Sequence, residues 1–243
     1  MESPLQLYRK NKKERSDLKK EAYPYFFNKY WKDPFRDVGF LDTTERIKAK
    51  SLGFFIPGKI YTFQYNPEYK DILDYYDKRP VILCSGQWTS ESTGNVIVTG
   101  INFNFLPEIA RVNTLEYYYK SVQKDIDEAY KKTSETDQVS FIKRALIVLQ
   151  DLVQMFNVFN KAGQIGYQFA MRNYIVDAAH MKQVSIVEFD DWEYIPFLQT
   201  KDVVGKSLGE IHSLYLKQKG DLAKKQPPIL RQSEKRKYNN RTR

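Results

Sequence analysis

The side chains able to do chemistry in this 243-residue chain are few, and their spacing serves it poorly. His180 and His212 are the only two histidines; both are expected on helices and neither has a companion at ligand spacing, so no histidine metal site or general base is indicated. Gly205, Lys206 and Ser207 look like the end of a phosphate-binding loop. However, Thr200 stands where the leading glycine belongs, and no strand context precedes it. Ser85, Ser90 and Ser92 lie near Cys84 without a histidine to activate a nucleophile. Carboxylates remain: Asp190, Asp191 and Glu193, or Asp71, Asp74 and Asp77, are of the type that holds the magnesium ions of a nuclease. Solvated loop carboxylates explain them equally well, so a metal-dependent nuclease using Asp190, Asp191 and Glu193 is the competing enzymatic reading. The expectation is a non-enzyme with no catalytic, metal or cofactor-binding residue and no cofactor.

Charge points elsewhere. The formal net charge is +9, and it sits in the terminal segments. Residues 1–20 carry seven Lys/Arg (Arg9, Lys10, Lys12, Lys13, Arg15, Lys19, Lys20) against three acidic residues, a net +4. Residues 224–243 carry eight (Lys224, Lys225, Arg231, Lys235, Arg236, Lys237, Arg241, Arg243) against Glu234 alone, a net +7, which leaves −2 for the middle. Those eight are the candidate DNA-binding residues, with a solubilising end or an arm on a neighbouring subunit as the competing uses. One cysteine, Cys84, excludes an intrachain disulfide and fits folding in a reducing cytosol. No apolar run reaches the roughly 20 residues of a membrane span, and the charged N-terminus predicts no export by a signal peptide.

The elements that must position these residues follow from periodicity. A basic opening runs into Tyr23–Trp31, with six aromatics in nine residues, too apolar to stay solvated and expected to dock on the core or on a partner. After Pro57 and Gly58, Tyr61, Phe63 and Tyr65 alternate with Thr62 and Gln64 as a strand. A second strand begins at Pro80, a polar loop covers residues 85–95, and Ile101, Phe103 and Phe105 alternate with Asn102 and Asn104 in a third. Exposed tyrosines here could stack on bases, but residues 55–110 lack the Lys/Arg density of a backbone-tracking groove, so a structural use is favoured. Helical spacing then predicts one helix capped by Asn113 and Glu116, a second through Val139–Phe156, and a third through Tyr167–Met181. Val184–Phe189 returns to strand, and a last helix is expected over about 203–217.

The result is an α+β fold: a small antiparallel β barrel or sheet with an inserted helical layer and extended N- and C-terminal arms. Residues 1–54 form a basic and aromatic arm. Residues 55–218 form the core, with strands in about 59–105 and 184–189 and helices in about 114–181 and 203–217. Residues 219–243, with a double proline and dense charge, form a flexible basic arm.

The stretch PGKIYTFQYNPEYKDILDYYDKRPVIL (57–83), followed by GINFNFLP, resembles a module of minor virion proteins of T4-like tailed bacteriophages, the DNA end protector type. The residues carrying it are Pro57, Gly58, Tyr61, Phe63, Tyr65, Lys70, Asp71, Leu73, Tyr75, Tyr76, Asp77, Pro80, Gly100, Asn102, Phe103, Leu106 and Pro107, strongest over residues 55–110. Trp192, Ile195, Pro196, Gly205, Ser207 and Glu210 resemble it more weakly. The resemblance implies a non-enzymatic structural virion protein at the portal vertex or neck, made in the host cytoplasm, closing or protecting the packaged DNA end and contributing to head–tail joining. Implied partners are portal, neck or tail subunits, double-stranded DNA and further copies in a ring, with no membrane. A baseplate or tail connector component is the alternative.

Overall fold

The computed structural model describes residues 3–10, 12–32, 55–67, 77–131, 135–161, 167–177, 179–198 and 206–225. Five strands form one antiparallel sheet: β1 (Ile60–Tyr65), β2 (Val81–Thr89), β3 (Val96–Asn102), β4 (Met171–Ile175) and β5 (Met181–Ile186). Their order is β4-β3-β2-β1-β5, with Ile60 opposite Leu83, Leu83 opposite Ile101 and Ile101 opposite Met171. The two edge strands are thus neighbours in sequence, joined by a turn in which the Met181 N–H donates to the Asp177 carbonyl at 2.9 Å. A short turn cannot bridge the edges of a flat five-stranded sheet, about 19 Å apart. The sheet therefore curls. Rings from β1 and β4 touch across its concave side, Phe63 to Tyr174 at 5.1 Å and Tyr65 to Tyr174 at 4.9 Å.

Strand alternation assigns the two faces. Tyr61, Phe63, Ile82, Cys84, Val98, Tyr174 and Met181 fill the concave interior with Phe55. Ile60, Val81, Leu83 and Ile101 point the other way, into a larger core shared with the helices. β1 is therefore buried on both faces, which is why its aromatic alternation is structural: Tyr61 and Phe63 are wholly inaccessible, and a stacking platform has to be exposed. Burial pushes the Cys84 thiol up to about 12, so it is a weak nucleophile.

The helices are α1 (Pro4–Tyr8), α2 (Lys12–Phe26), α3 (Glu108–Lys131), α4 (Glu135–Lys161) and α5 (Leu208–Lys225). α3 presents Leu115, Tyr118 and Val122 to the core, and α4 presents Phe141, Ala145, Val148 and Leu152, both at the three-and-four spacing of one helical face. Gly58 marks the closest approach of sheet and helices. Its φ is +88°, its N–H donates to the Cys84 carbonyl at 2.8 Å, and its own carbonyl accepts from the Tyr118 hydroxyl at 2.5 Å. A Cβ there would collide with that of Ala145 and lie 2.6 Å from the Tyr118 hydroxyl.

Several expectations need correction. The helix expected over Tyr167–Met181 is a 3-10 turn (Tyr167–Ala170), strand β4, a turn and the start of β5. Asp177 makes that turn by accepting from the N–H groups of Ala179 and His180 at 2.9 and 2.8 Å, a local bond that competes with helix. His180 is therefore a turn residue. α3 starts after Pro107 rather than at Asn113, because proline has no N–H to leave unsatisfied at a helix start. β2 extends through Thr89, into the expected polar loop, where Ser85 donates to the Thr99 carbonyl at 2.9 Å. β3 stops at Asn102, and Phe103–Phe105 is a 3-10 turn begun by the Asn104 N–H donating to the Asn102 side chain at 2.9 Å. Asn102 and Asn104 are buried instead of solvent-facing, and their amides donate to Asp77 Oδ2 at 3.0 and 2.7 Å. Burial pushes the Asp77 carboxyl up against the lowering effect of those amides. The last helix, expected over about 203–217, spans Leu208–Lys225.

Candidate nucleic-acid interface

The N-terminal segment, expected as an arm, is helical where described, and it supplies Ala22, Phe26, Tyr30 and Trp31 to the main core. Pro24 lies inside α2; it removes the N–H that would bond the Lys20 carbonyl and crowds that carbonyl. The chain widens into a π-turn over Phe27–Trp31. Through that wider turn both Tyr30 and Trp31 reach the interior, where the Trp31 indole N–H donates to Thr62 Oγ1 at 2.9 Å.

A polar clamp holds this segment to residues 188–191. Asp191 is buried and accepts from the Tyr25 hydroxyl at 2.6 Å and from the Tyr30 hydroxyl. Lys29 Nζ lies 2.7 Å from both Asp191 and Glu188. Burial alone would lower the Lys29 ammonium, but its bonds to Asp191 and Glu188 outweigh that and hold it charged, well above its ordinary value. Burial, reinforced by Asp191, pushes the Tyr30 phenol well up, so it stays a neutral donor. Tyr25 also stacks on Tyr194, centroids 4.3 Å apart.

With one side of α2 fixed, 3.6-residue geometry sorts the other. Lys12, Ser16, Lys19 and Tyr23 fall in one row, with Lys13, Lys20 and Phe27 beside it, all exposed. Glu14 and Glu21 take the opposite flank, and Asp17 lies at the edge of the stripe beside Lys20. α2 thus presents a basic, aromatic-ended stripe whose lysines are anchored at two points, Lys19 to Glu108 at 2.9 Å and Lys20 to Asp17 at 3.8 Å. A stripe of this kind attracts phosphate through point charges and offers no base-reading geometry of its own.

The candidate DNA-binding residues divide. Lys224 and Lys225 occupy the last turn of α5; Arg231, Lys235, Arg236, Lys237, Arg241 and Arg243 lie outside the described residues. Of the motif residues, Pro57, Gly58, Tyr61, Phe63, Tyr65, Asp77 and Pro80 lie in and around the curled sheet, while Tyr75 and Tyr76 fall outside the description. The carboxylates of the nuclease reading are not brought together: Asp190 is exposed and Asp191 is committed to Tyr25, Tyr30 and Lys29. Among the described residues, no group of three His, Cys, Asp or Glu is placed to hold a metal ion. Ser207 is an N-cap, its Oγ accepting from the Glu210 N–H at 3.3 Å while Glu210 accepts the Ser207 N–H at 2.6 Å. His212 packs against Phe169 and Tyr215. Sequence reasoning saw the lysines and the aromatics separately and missed that one helix carries both. The signal was the 12-16-19-23-27 spacing, masked by Pro24.

Residues 31–144 match the family model of the phage T4 terminal DNA protecting protein. The matched segment runs from Trp31 through β1, β2, β3 and α3 into α4, and contains the motif that carries the resemblance to the DNA end protectors. The α2 stripe precedes it. No curated protein and no solved structure matches the chain. Among the described residues, no helix is long and apolar enough to cross a membrane.

Proposed function

We propose that this protein is a non-enzymatic structural component of a tailed-phage virion that binds and protects the end of the packaged duplex. In this reading it sits at the portal vertex or neck, among portal, neck or tail subunits and further copies of itself, and contributes to head–tail joining. The observation that carries the proposal is the match of residues 31–144 to the phage T4 terminal DNA protecting protein. Charge distribution supports it: a body of net −2 is flanked by segments of +4 and +7, so the middle packs against neighbours while the ends reach phosphate. Neutralising eight phosphates with Lys224, Lys225, Arg231, Lys235, Arg236, Lys237, Arg241 and Arg243 corresponds to a salt slope of about −7, an upper bound for a tethered segment.

The test is exonuclease digestion of linear duplex DNA with and without the protein, at a series of salt concentrations. The full chain is expected to protect both ends at low salt. Truncation after Lys225 removes six of the eight cations, shallowing the salt slope by up to about 5 while leaving the melting transition in place. Failure of the full chain to protect linear DNA, or magnesium-dependent cleavage lost on Asp190→Ala, overturns the reading.

A further inference from the structure

Two aromatic side chains of the N-terminal segment stay outside the core that takes their neighbours. Tyr23 is 50% exposed and Phe27 39%, although Ala22, Phe26, Tyr30 and Trp31 are buried. The Tyr23 and Phe27 rings are 6.5 Å apart and inclined by only 18°, so they present like-oriented faces. Trp31 backs Tyr23 edge-on at 5.6 Å. The Arg79 guanidinium lies 5.9 Å from the Phe27 ring centroid and 5.4 Å from that of Trp31, and its Nη1 donates to the Trp31 carbonyl at 3.2 Å. Buried Trp31 and half-buried Arg79 thus back the exposed rings, and the π-turn that creates the arrangement is a feature often found at functional sites.

The surroundings are cationic. Lys20 lies one helical turn before Tyr23 on the same side of α2, and exposed Lys32 and Lys78 adjoin Trp31 and Arg79 in sequence. The lysine row from Lys12 to Lys20 leads up to the rings over about 12 Å, the axial run of three to four phosphates on one DNA strand. Of the α2 carboxylates, Glu14 and Glu21 are on its other flank, while Asp17 lies 3.8 Å from Lys20. Rigid rings with a cationic approach suit a flat π-surface bonded to phosphate, which is a nucleobase. Inside a duplex, neighbouring pairs cover both faces of every base; only a terminal base has a free face.

Resting on the DNA-end reading above, we propose that Tyr23 and Phe27 form a platform on which the free face of a terminal DNA base stacks, with Arg79 and Lys20 meeting the adjoining phosphate. The same chemistry serves a blunt terminus or the last base of a single-stranded overhang. The stripe is sequence-blind, and the platform is what distinguishes an end from the interior.

The experiment measures binding to three forms of one short duplex: blunt, with an overhang, and closed at both ends by hairpin loops. 2-Aminopurine is placed at a terminal or a central position. The full-length protein is expected to quench the terminal probe and not the central one. It should also prefer open ends to the closed form by about 5- to 150-fold, the range that one stacked base contributes. Y23A/F27A should lose both effects while keeping the salt-dependent binding common to all forms, and Y23W/F27W should retain them. Y23S alone gives the same reading if the double change disturbs folding. The open form showing the quench tells which terminus is capped. If the wild type prefers ends and the alanine variant does so equally, the platform is wrong while the end reading stands. Equal affinity of the wild type for open and closed DNA brings down both. A variant that keeps its end preference but no longer joins particles marks the patch as a protein contact and overturns the proposal.

Discussion

The aromatic residues of the curled sheet and those of α2 are the same side chains put to opposite uses. In the sheet, Tyr61, Phe63, Tyr65 and Tyr174 close on one another, with Phe63 and Tyr174 at 5.1 Å and Phe55 and Tyr61 at 4.7 Å. Water is excluded, and apolar packing is what holds the region together. In α2 and its π-turn, the aromatic set is split between a half buried in the main core and an exposed half, and polar contacts add to the attachment. These are the Lys29, Tyr25 and Tyr30 bonds to Asp191 and the Lys19 bridge to Glu108; the neighbouring α1 is held likewise by the Leu5 N–H donated to Glu116 at 3.0 Å. The packing of the rings in the sheet depends on burial rather than on charge. The N-terminal helices are held by groups that respond to charge and pH, which suits a surface that engages a polyanion.

The sharpest way to break this contrast is to truncate one ring in each region. Phe63→Ala removes a wholly buried ring from the concave core and should destabilise the fold by about 3–5 kcal/mol in denaturant melts. Tyr23→Ala, at a half-exposed ring, should cost no more than about 1 kcal/mol. Equal losses would mean that the Tyr23 face is as buried as the interior of the curled sheet. Asp191→Ala should fall between them, at about 2–3 kcal/mol, because it leaves Lys29 charged and two tyrosine hydroxyls without their acceptor. The lower figure allows for the partial exposure of the Lys29 side chain. Hydrogen exchange should show the loss concentrated in residues 12–31 and leave β1, β2 and β3 protected; uniform deprotection would place the clamp in the global core.

How much of this was legible beforehand follows the same division. β1, β2 and β3 were readable because alternation and the Pro57 and Pro80 punctuation are local signals, and α3 and α4 because their apolar spacing is long and regular. The spacing of Tyr167, Ala170, Tyr174 and Met181 matched a helix by coincidence, since a 3-10 turn and an inward strand residue fall at the same intervals. Pro24 argued against a helix that tertiary burial of Phe26, Tyr30 and Trp31 nevertheless supports, and this hid the stripe on its far side. Asp191 read as a loop carboxylate because its partners lie more than 150 residues earlier, a separation the hydrogen bonds to Tyr25 and Tyr30 make explicit. Asn102 and Asn104 matched the polar half of an alternating strand; Asp77, the Tyr174 hydroxyl and the Arg79 carbonyl, brought beside them by the fold, satisfy their amides and permit their burial.

The smallest effect separates the regions by pH. Glu116 was read as a partner in capping its own helix, yet it serves another one: it accepts from the Leu5 N–H at the start of α1 and pairs with Lys120 at 3.0 Å. Burial would raise its carboxyl, but the Leu5 N–H, Lys120 and Ser3 together hold it below the usual glutamate value. A carboxyl depressed in the folded state contributes stability above its unfolded value, near 4.3, and loses it as pH falls through the folded value. Docking of α1 should therefore weaken below about pH 4, while the ring-on-ring packing inside the sheet involves no charge that titrates in that window. Glu116→Gln should remove about 1 kcal/mol at neutral pH and flatten the acid limb of the stability curve, as read by exchange at residues 4–8. An acid limb that keeps its slope in the variant would place the titrating group elsewhere, and the docking of α1 would then rest on Pro4 and Leu7 packing alone.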